Sequence, residues 1–234
     1  MLKKRSAILA AGFVVTMALT MPATAHANTI TYSNSLTFQA ALGASVTDSY
    51  SDPGYQNGNK VNGAGFDIFF NAAMSAVLGE TDYQTTGHTD QNILENGSDG
   101  DYDYCAGCNG SFRLTFTTTT VGTASGVYGA GFNFANTDPT VPYHAFVTFG
   151  DGSTADYLLA VTPLFNFTNF FGITSDLLIS SIHLGLANGG TTTGGAFAID
   201  DLTIGAASVP DATSTLGLFM GVALLGFVAQ RLWT

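Results

Sequence analysis

The chain has 234 residues, a length that suits one all-β domain or at most two small ones, and only 10% of them are charged, against roughly 25% in an ordinary soluble domain. Net charge is −11, and residues 28–209 hold sixteen acidic side chains against two basic ones, Lys60 and Arg113. A surface of that sign cannot neutralise phosphates, which excludes nucleic acid as a partner and disfavours anionic lipid headgroups, so solubility rests on Gly, Thr, Ser and Asn.

Met1 to Ala27 opens with Lys3, Lys4 and Arg5, continues through an apolar run from Ala7 to Leu19, and closes on Ala25-His26-Ala27. That order predicts a secretory signal peptide, read by the Sec machinery and cut by signal peptidase after Ala27. The apolar run is short for a spanning helix, which needs about 20 residues. The mature chain then lies in a compartment where thiols oxidise.

Ser35 to Leu42 predicts one short helix capped by Asn34 or Ser35. From Ser51 to Asn109 the composition turns to Gly, Asn, Asp and Tyr, which reads as a long loop region between early strands, with a strand at Gly65 to Phe70. Tyr50, Tyr55, Tyr83, Tyr102 and Tyr104 are expected on its surface, where rings can stack on sugars. Asp99, Asp101 and Asp103 are spaced like the start of an EF-hand loop. Tyr104 stands at its sixth position and Gly110 at its twelfth, where Gly and Glu are required, so an EF-hand is rejected. A looser Ca²⁺ site on those three aspartates and a plain solvated acidic loop both remain open. Cys105 and Cys108 are followed by Asn109-Gly110 and a strand, not by the helix that activates a redox pair. His88, His144 and His183 have no zinc-ligand spacing. In an exported chain a Cys105–Cys108 disulfide is the expected outcome, stiffening the turn before the next strand.

Period-two alternation then dominates. Phe112, Leu114 and Phe116 alternate with polar residues in Ser111–Thr117, and Val127–Phe134 and Ser181–Leu186 repeat the pattern. Further strands are predicted at His144–Phe149, Thr154–Val161 and Phe167–Phe171, with turns at Asp138-Pro139 and Asp151-Gly152. In the last strand Phe197 and Ile199 share a face with Asp201, which would turn Leu202 and Ile204 outward. A bulge at Asp200-Asp201 restores all four apolar residues to the core. The two carboxylates then either cap backbone amides or ligate a structural Ca²⁺. Such spacing without helical crossovers gives the expected fold class: all-β, a two-sheet antiparallel β-sandwich of jelly-roll type.

The C-terminus carries a second address. Val209-Pro210-Asp211 and Ser214-Thr215 precede an apolar, Gly-interrupted run from Leu216 to Val228, and Arg231 follows it. This order of short motif, hydrophobic helix and basic end is similar to the PEP-CTERM sorting domain of Gram-negative exoproteins, in a Val-Pro-Asp variant. Asp211 and the single Arg231 replace the commoner Glu-Pro pair and arginine cluster. The resemblance implies processing by an exosortase-type membrane enzyme and a location at the envelope, cell surface or extracellular matrix, with transient or lasting anchorage through the helix. Segments Cys105–Phe112, Phe170–Asp176 with Ile179–Ile182, and Phe197–Leu202 resemble elements of β-sandwich domains in such proteins. The chain therefore divides into a signal peptide (1–27), a sandwich domain (28–207, with the loop region 51–109) and a sorting segment (208–234, helix 216–229).

Signatures of catalysis are absent from the sequence. No Gly-x-Ser-x-Gly, Walker or His-Glu-x-x-His motif occurs, and Glu80-Thr81-Asp82 lacks the second Glu of jelly-roll glucanases because Thr85 occupies its place. The expectation is a non-enzymatic exported surface or matrix protein associated with exopolysaccharide. The alternative is a carbohydrate-binding, lectin-like module, with structural Ca²⁺ as the one cofactor the acidic residues suggest.

Overall fold

The computed structural model describes residues 27–50, 60–61, 81–87, 92–96, 102–105, 110–162 and 167–209. Among them the chain forms β1 (Thr29–Tyr32), α1 (Ser35–Ala40), β2 (Leu42–Asp48), β3 (Lys60–Val61), β4 (Asp82–Thr85), β5 (Asn92–Asn96), β6 (Tyr102–Cys105), β7 (Phe112–Thr115), β8 (Val127–Asn136), β9 (His144–Phe149), β10 (Thr154–Leu158), β11 (Asn169–Gly185) and β12 (Phe197–Ala207). Every pairing is antiparallel. The segment read as a long loop thus contributes β3 to β6, while the strand expected at Gly65–Phe70 lies outside the described residues.

The sheet curls into two layers because β11 belongs to both. Its first half lies between β1 and β8, and its second half between β9 and β7. The change falls at Leu178, whose φ is +61°, and at Ser180, the extra residue between the Ile179–Phe149 and Ser181–Thr148 pairs. Ser180 Oγ donates to the carbonyls of Thr148 and Phe149 at 2.9 and 3.4 Å, occupying groups that the register shift disturbs. One layer runs β10-β9-β11-β7-β4. The other runs β1-β11-β8-β12, with β2 and β6 both paired to β12 and β5 and β3 beyond β6. Two strands expected separately, Phe167–Phe171 and Ser181–Leu186, are therefore one bent strand. The polar stretch Thr174-Ser175-Asp176 interrupts the apolar alternation, yet the backbone pairing continues through it, Thr174 with Gly129 and Ile30 and Ser175 with Thr29.

Inward residues of the two layers meet ring to ring: Phe112 and Phe197 at 6.0 Å, Tyr83 and Tyr104 at 4.6 Å, Tyr157 and Phe171 at 5.6 Å. In β9, Ala145, Val147 and Phe149 are buried while His144, Phe146 and Thr148 face out, as alternation requires. Asp151-Gly152 forms the β9–β10 turn: Gly152 has φ +84°, and Asp151 Oδ1 accepts from Ser153 N and Oγ at 2.9 and 2.6 Å.

The helix is shorter than expected and is held by packing rather than propensity. Asn34 Oδ1 accepts from Thr37 N at 3.1 Å, and Leu42 already begins β2. Its one buried side chain, Phe38, lies on Gly129, Gly131 and Gly172 of the outer face of β8 and β11. A Cβ at Gly131 would stand 3.0 Å from Phe38 Cε1, and one at Gly172 2.9 Å from Phe38 Cδ2, so glycine lets the ring settle onto backbone. Removing that ring from water stabilises the fold by about 1.5–3 kcal/mol.

Candidate functional site

The bulge in β12 lies where the apolar phase required it. Pairing with β8 shifts between Asp200 and Thr203, Asp201 has φ +49°, and Phe197, Ile199, Leu202 and Ile204 are all fully buried. Asp201 N donates to Asp200 Oδ1 at 2.7 Å, and Asn133 Nδ2 donates to Asp201 Oδ2 at 2.7 Å. Asp200 thus caps the backbone of the bulge, and Asp201 is tied to the Asn133 side chain of β8. Two more acids border the bulge. Asp48 is buried opposite Leu202 and accepts from Tyr50 N at 2.8 Å. Asp103, also buried, neighbours Tyr104, which pairs with Ile199. Among the described residues no three His, Cys, Asp or Glu side chains are grouped as a metal site. Asp99 and Asp101 lie outside them.

Several expectations about exposure are corrected. Tyr50, Tyr83 and Tyr104 are not surface rings; each is fully buried, with Tyr50 Oη 3.1 Å from Tyr83 Oη and the Tyr50 and Tyr104 rings 6.2 Å apart. Burial, reinforced by the Asp48 charge, raises the Tyr83 phenol well above its ordinary pKa. Tyr55 lies outside the described residues, and of Tyr102 only the backbone is described. His183, on the polar face of the Ser181–Leu186 alternation, is nonetheless buried: it sits on the outward face of β11 but is flanked in register by Phe146 and Arg113, and its Nε2 is 2.9 Å from Thr86 Oγ1. Burial, and secondarily the Arg113 charge, lowers its pKa from 6.5 to about 4. His144 at the start of β9 instead meets Asp156 at 2.6 Å. Cys105 is buried on β6, and Cys108 lies outside the described residues. Of the sorting motif only Val209, 87% exposed, is described; Pro210, Asp211, Ser214 and Thr215 are not.

A concave feature among the described residues lies elsewhere. The end of β1, the end of β10 and the start of β11 enclose an open cleft of about 410 Å³. Both outer walls are edge strands: among the described residues β1 pairs only with β11, and β10 only with β9. Half-buried Tyr32, Tyr157 and Phe170 supply rings to the lining. Thr31, Ser33, Thr168 and Asn169 supply hydroxyls and an amide. No Asp, Glu, His, Lys, Arg or Cys is among the twelve lining residues. Phe38 braces two of the rings, with Tyr32 at 5.6 Å and Phe170 at 5.5 Å, while Tyr157 packs on Phe171. Burial raises the Tyr157 phenol above its ordinary value, and its hydroxyl can both donate and accept hydrogen bonds.

No known protein-family model matches the chain, and no curated protein matches it. Among solved structures it is similar to two of family 11 carbohydrate-binding modules from Clostridium thermocellum. The first, from the cellulosomal cellulase Lic26A-Cel5E, shares 13% identity at a TM-score of 0.27, over 73% of this chain and 99% of that one. The second, in complex with a β-1,3-1,4-mixed-linked tetrasaccharide, shares 12% at 0.26, over 71% and 98%.

Sequence reasoning did not find the cleft. Its walls come from residues 31–33, 134, 157–160 and 168–171, so only the pairing of β1 with β11 and of β10 with β9 assembles them. One local signal was present: Tyr157 alternates with Asp156 and Leu158 on an edge strand, a position where an aromatic ring keeps one side toward solvent.

Proposed function

We propose that this is an exported, non-enzymatic protein of a Gram-negative cell surface or extracellular matrix, associated with exopolysaccharide and built on a jelly-roll-like sandwich. The observation that carries the non-enzymatic reading is the chemistry of the cleft: rings, hydroxyls and one amide, with no carboxylate, imidazole, amine or thiol among the residues that line it. Hydrolysis of a glycosidic bond ordinarily uses two carboxylates flanking it, whereas a ring-lined cleft with a few uncharged polar groups is suited to binding. The export reading is supported by the tripartite layout of Met1–Ala27 and by the Val209-Pro210-Asp211, Ser214-Thr215 and 216–229 arrangement. In it the Sec machinery and signal peptidase act first, and an exosortase-type enzyme acts on the C-terminal segment. A structural Ca²⁺ on Asp200 and Asp201, or on Asp99, Asp101 and Asp103, is the cofactor this reading accommodates. A Cys105–Cys108 disulfide suits the same compartment.

A second reading, a carbohydrate-binding module, is favoured by the three half-buried rings, Tyr32, Tyr157 and Phe170, in the cleft lining. The test of the main reading is fractionation of the native host together with an assay for new reducing ends on its exopolysaccharide. The expected result is protein in the surface or matrix fraction and no release of reducing ends. Retention in the cytoplasm would overturn the location, and release of reducing ends would overturn the non-enzymatic assignment.

A further inference from the structure

We propose that the cleft between β1, β10 and the start of β11 binds a neutral polysaccharide, with Tyr32, Tyr157 and Phe170 contacting sugar C–H surfaces and Asn169, Thr168 and Ser33 bonding sugar hydroxyls. This deepens the carbohydrate-binding reading and rests on it. The cleft volume of about 410 Å³ falls in the range of about 300–1,000 Å³ usual for small-ligand sites. A sugar ring presents apolar C–H patches beside hydroxyls that both donate and accept, and the lining answers both kinds of surface. Aromatic rings meet the first, and hydroxyl and amide side chains, each able to donate and accept, meet the second.

The rings are held before any ligand arrives. Tyr32 and Phe170 rest on Phe38, which is itself fully buried against the glycines of β8 and β11, and Tyr157 rests on Phe171. Little side-chain freedom is then lost on binding.

Charge selects the class of polymer. The lining holds no cation to receive a uronate or sulfate, and residues 28–209 carry sixteen acidic side chains against two basic ones. The net field of the chain repels an anionic chain and is indifferent to a neutral one. The cleft is open along two edge strands, a form suited to internal units of a polymer.

The experiment is affinity electrophoresis of the full chain, purified in detergent from its expressing host, in gels cast with mixed-linkage β-glucan, hydroxyethyl cellulose, galactomannan, dextran or alginate. Retardation by at least one of the four neutral polymers and none by alginate is expected. Tyr32→Ala and Asn169→Ala should each weaken retention on the order of tenfold, as lost hot-spot contacts do. Phe146→Ala, on the outward face of the other layer, should leave it unchanged. Should Tyr32→Ala fail to fold, as read by its melting curve, Asn169→Ala and Thr168→Ala decide the matter. No retardation by any neutral polymer, wild-type retention in the cleft variants, or preference for alginate overturns the proposal. A protein that fractionates with the surface and releases no reducing ends, yet ignores every neutral polymer, refutes the cleft and leaves the surface reading standing.

Discussion

Acid should destabilise this protein through His183 between about pH 6.5 and pH 4. The imidazole lies in one row across the sheet, with Phe146 on β9 to one side and Arg113 on β7 to the other, and its Nε2 meets Thr86 Oγ1. Gly185 completes the enclosure, since a Cβ there would stand 2.8 Å from His183 Cε1. The other titratable groups in the row are already engaged with each other: Asp156, opposite Phe146, holds His144. Burial and the Arg113 charge place the folded-state pKa near 4, against 6.5 for the free side chain. Between those values the unfolded chain binds the extra proton, so stability rises with pH across the interval. The contribution is complete above pH 6.5 and is lost as pH falls toward 4. The gap between the two pKa values corresponds to about 3 kcal/mol. Urea unfolding of wild type and His183→Gln at about pH 7 and about pH 4 measures it, because glutamine retains a polar end for Thr86 but does not titrate. Asp138 and Asp151, held below the ordinary carboxylate range by hydrogen bonds from Thr140 and Ser153, act only at lower pH, Asp82 is raised by burial, and all three are common to both proteins, so their contributions cancel in the comparison. Wild type should lose about 3 kcal/mol more than the variant over that interval. Equal losses would refute the buried, neutral imidazole.

Gly131→Ala should lower stability by about 1–3 kcal/mol, read as a shifted urea midpoint, because its Cβ would meet Phe170 Cζ at 2.8 Å and Phe38 Cε1 at 3.0 Å; an unmoved midpoint contradicts the glycine bed. If a cation bound only by the folded state sits at the β12 bulge, EDTA should lower the melting temperature, by the equivalent of about 2.7 kcal/mol at a hundredfold excess of metal over its dissociation constant. Asp201→Asn should remove that sensitivity, and a melting curve that EDTA leaves in place assigns Asp200 and Asp201 to hydrogen bonding within the bulge, without a metal. Alkylation of exported protein without prior reduction should label neither Cys105 nor Cys108, whereas labelling of both rejects the disulfide.

Features with local causes were legible in the sequence. The Asn34 cap, the Asp151-Gly152 turn and the bulge at Asp200-Asp201 each follow from a few adjacent residues, and the bulge is required by the phase of Phe197, Ile199, Leu202 and Ile204 alone. Features decided across strands were not legible. Tyr83 and Tyr104 lie in polar, acidic sequence, yet β4 and β6 bring them into contact beneath Phe112, whose ring is 4.9 Å from Tyr104. His183 does lie on the polar face that alternation assigned to it, but a face is buried or exposed according to its neighbours, here Phe146, Arg113 and Thr86. The continuity of β11 was hidden because Ser175 and Asp176 break the apolar pattern without breaking the strand. The cleft was hidden more deeply, since over a hundred residues separate Tyr32 from Tyr157.

The central claim, that the chain is exported and sorted to the surface, is tested most directly by the intact mass of the mature protein recovered from the surface fraction of its native host. The account predicts a mass that begins at Asn28 and lacks Leu216 to Thr234. A mass that includes Met1–Ala27 would contradict export through a cleaved signal peptide, and one that retains the C-terminus through Thr234 would contradict processing of the sorting segment.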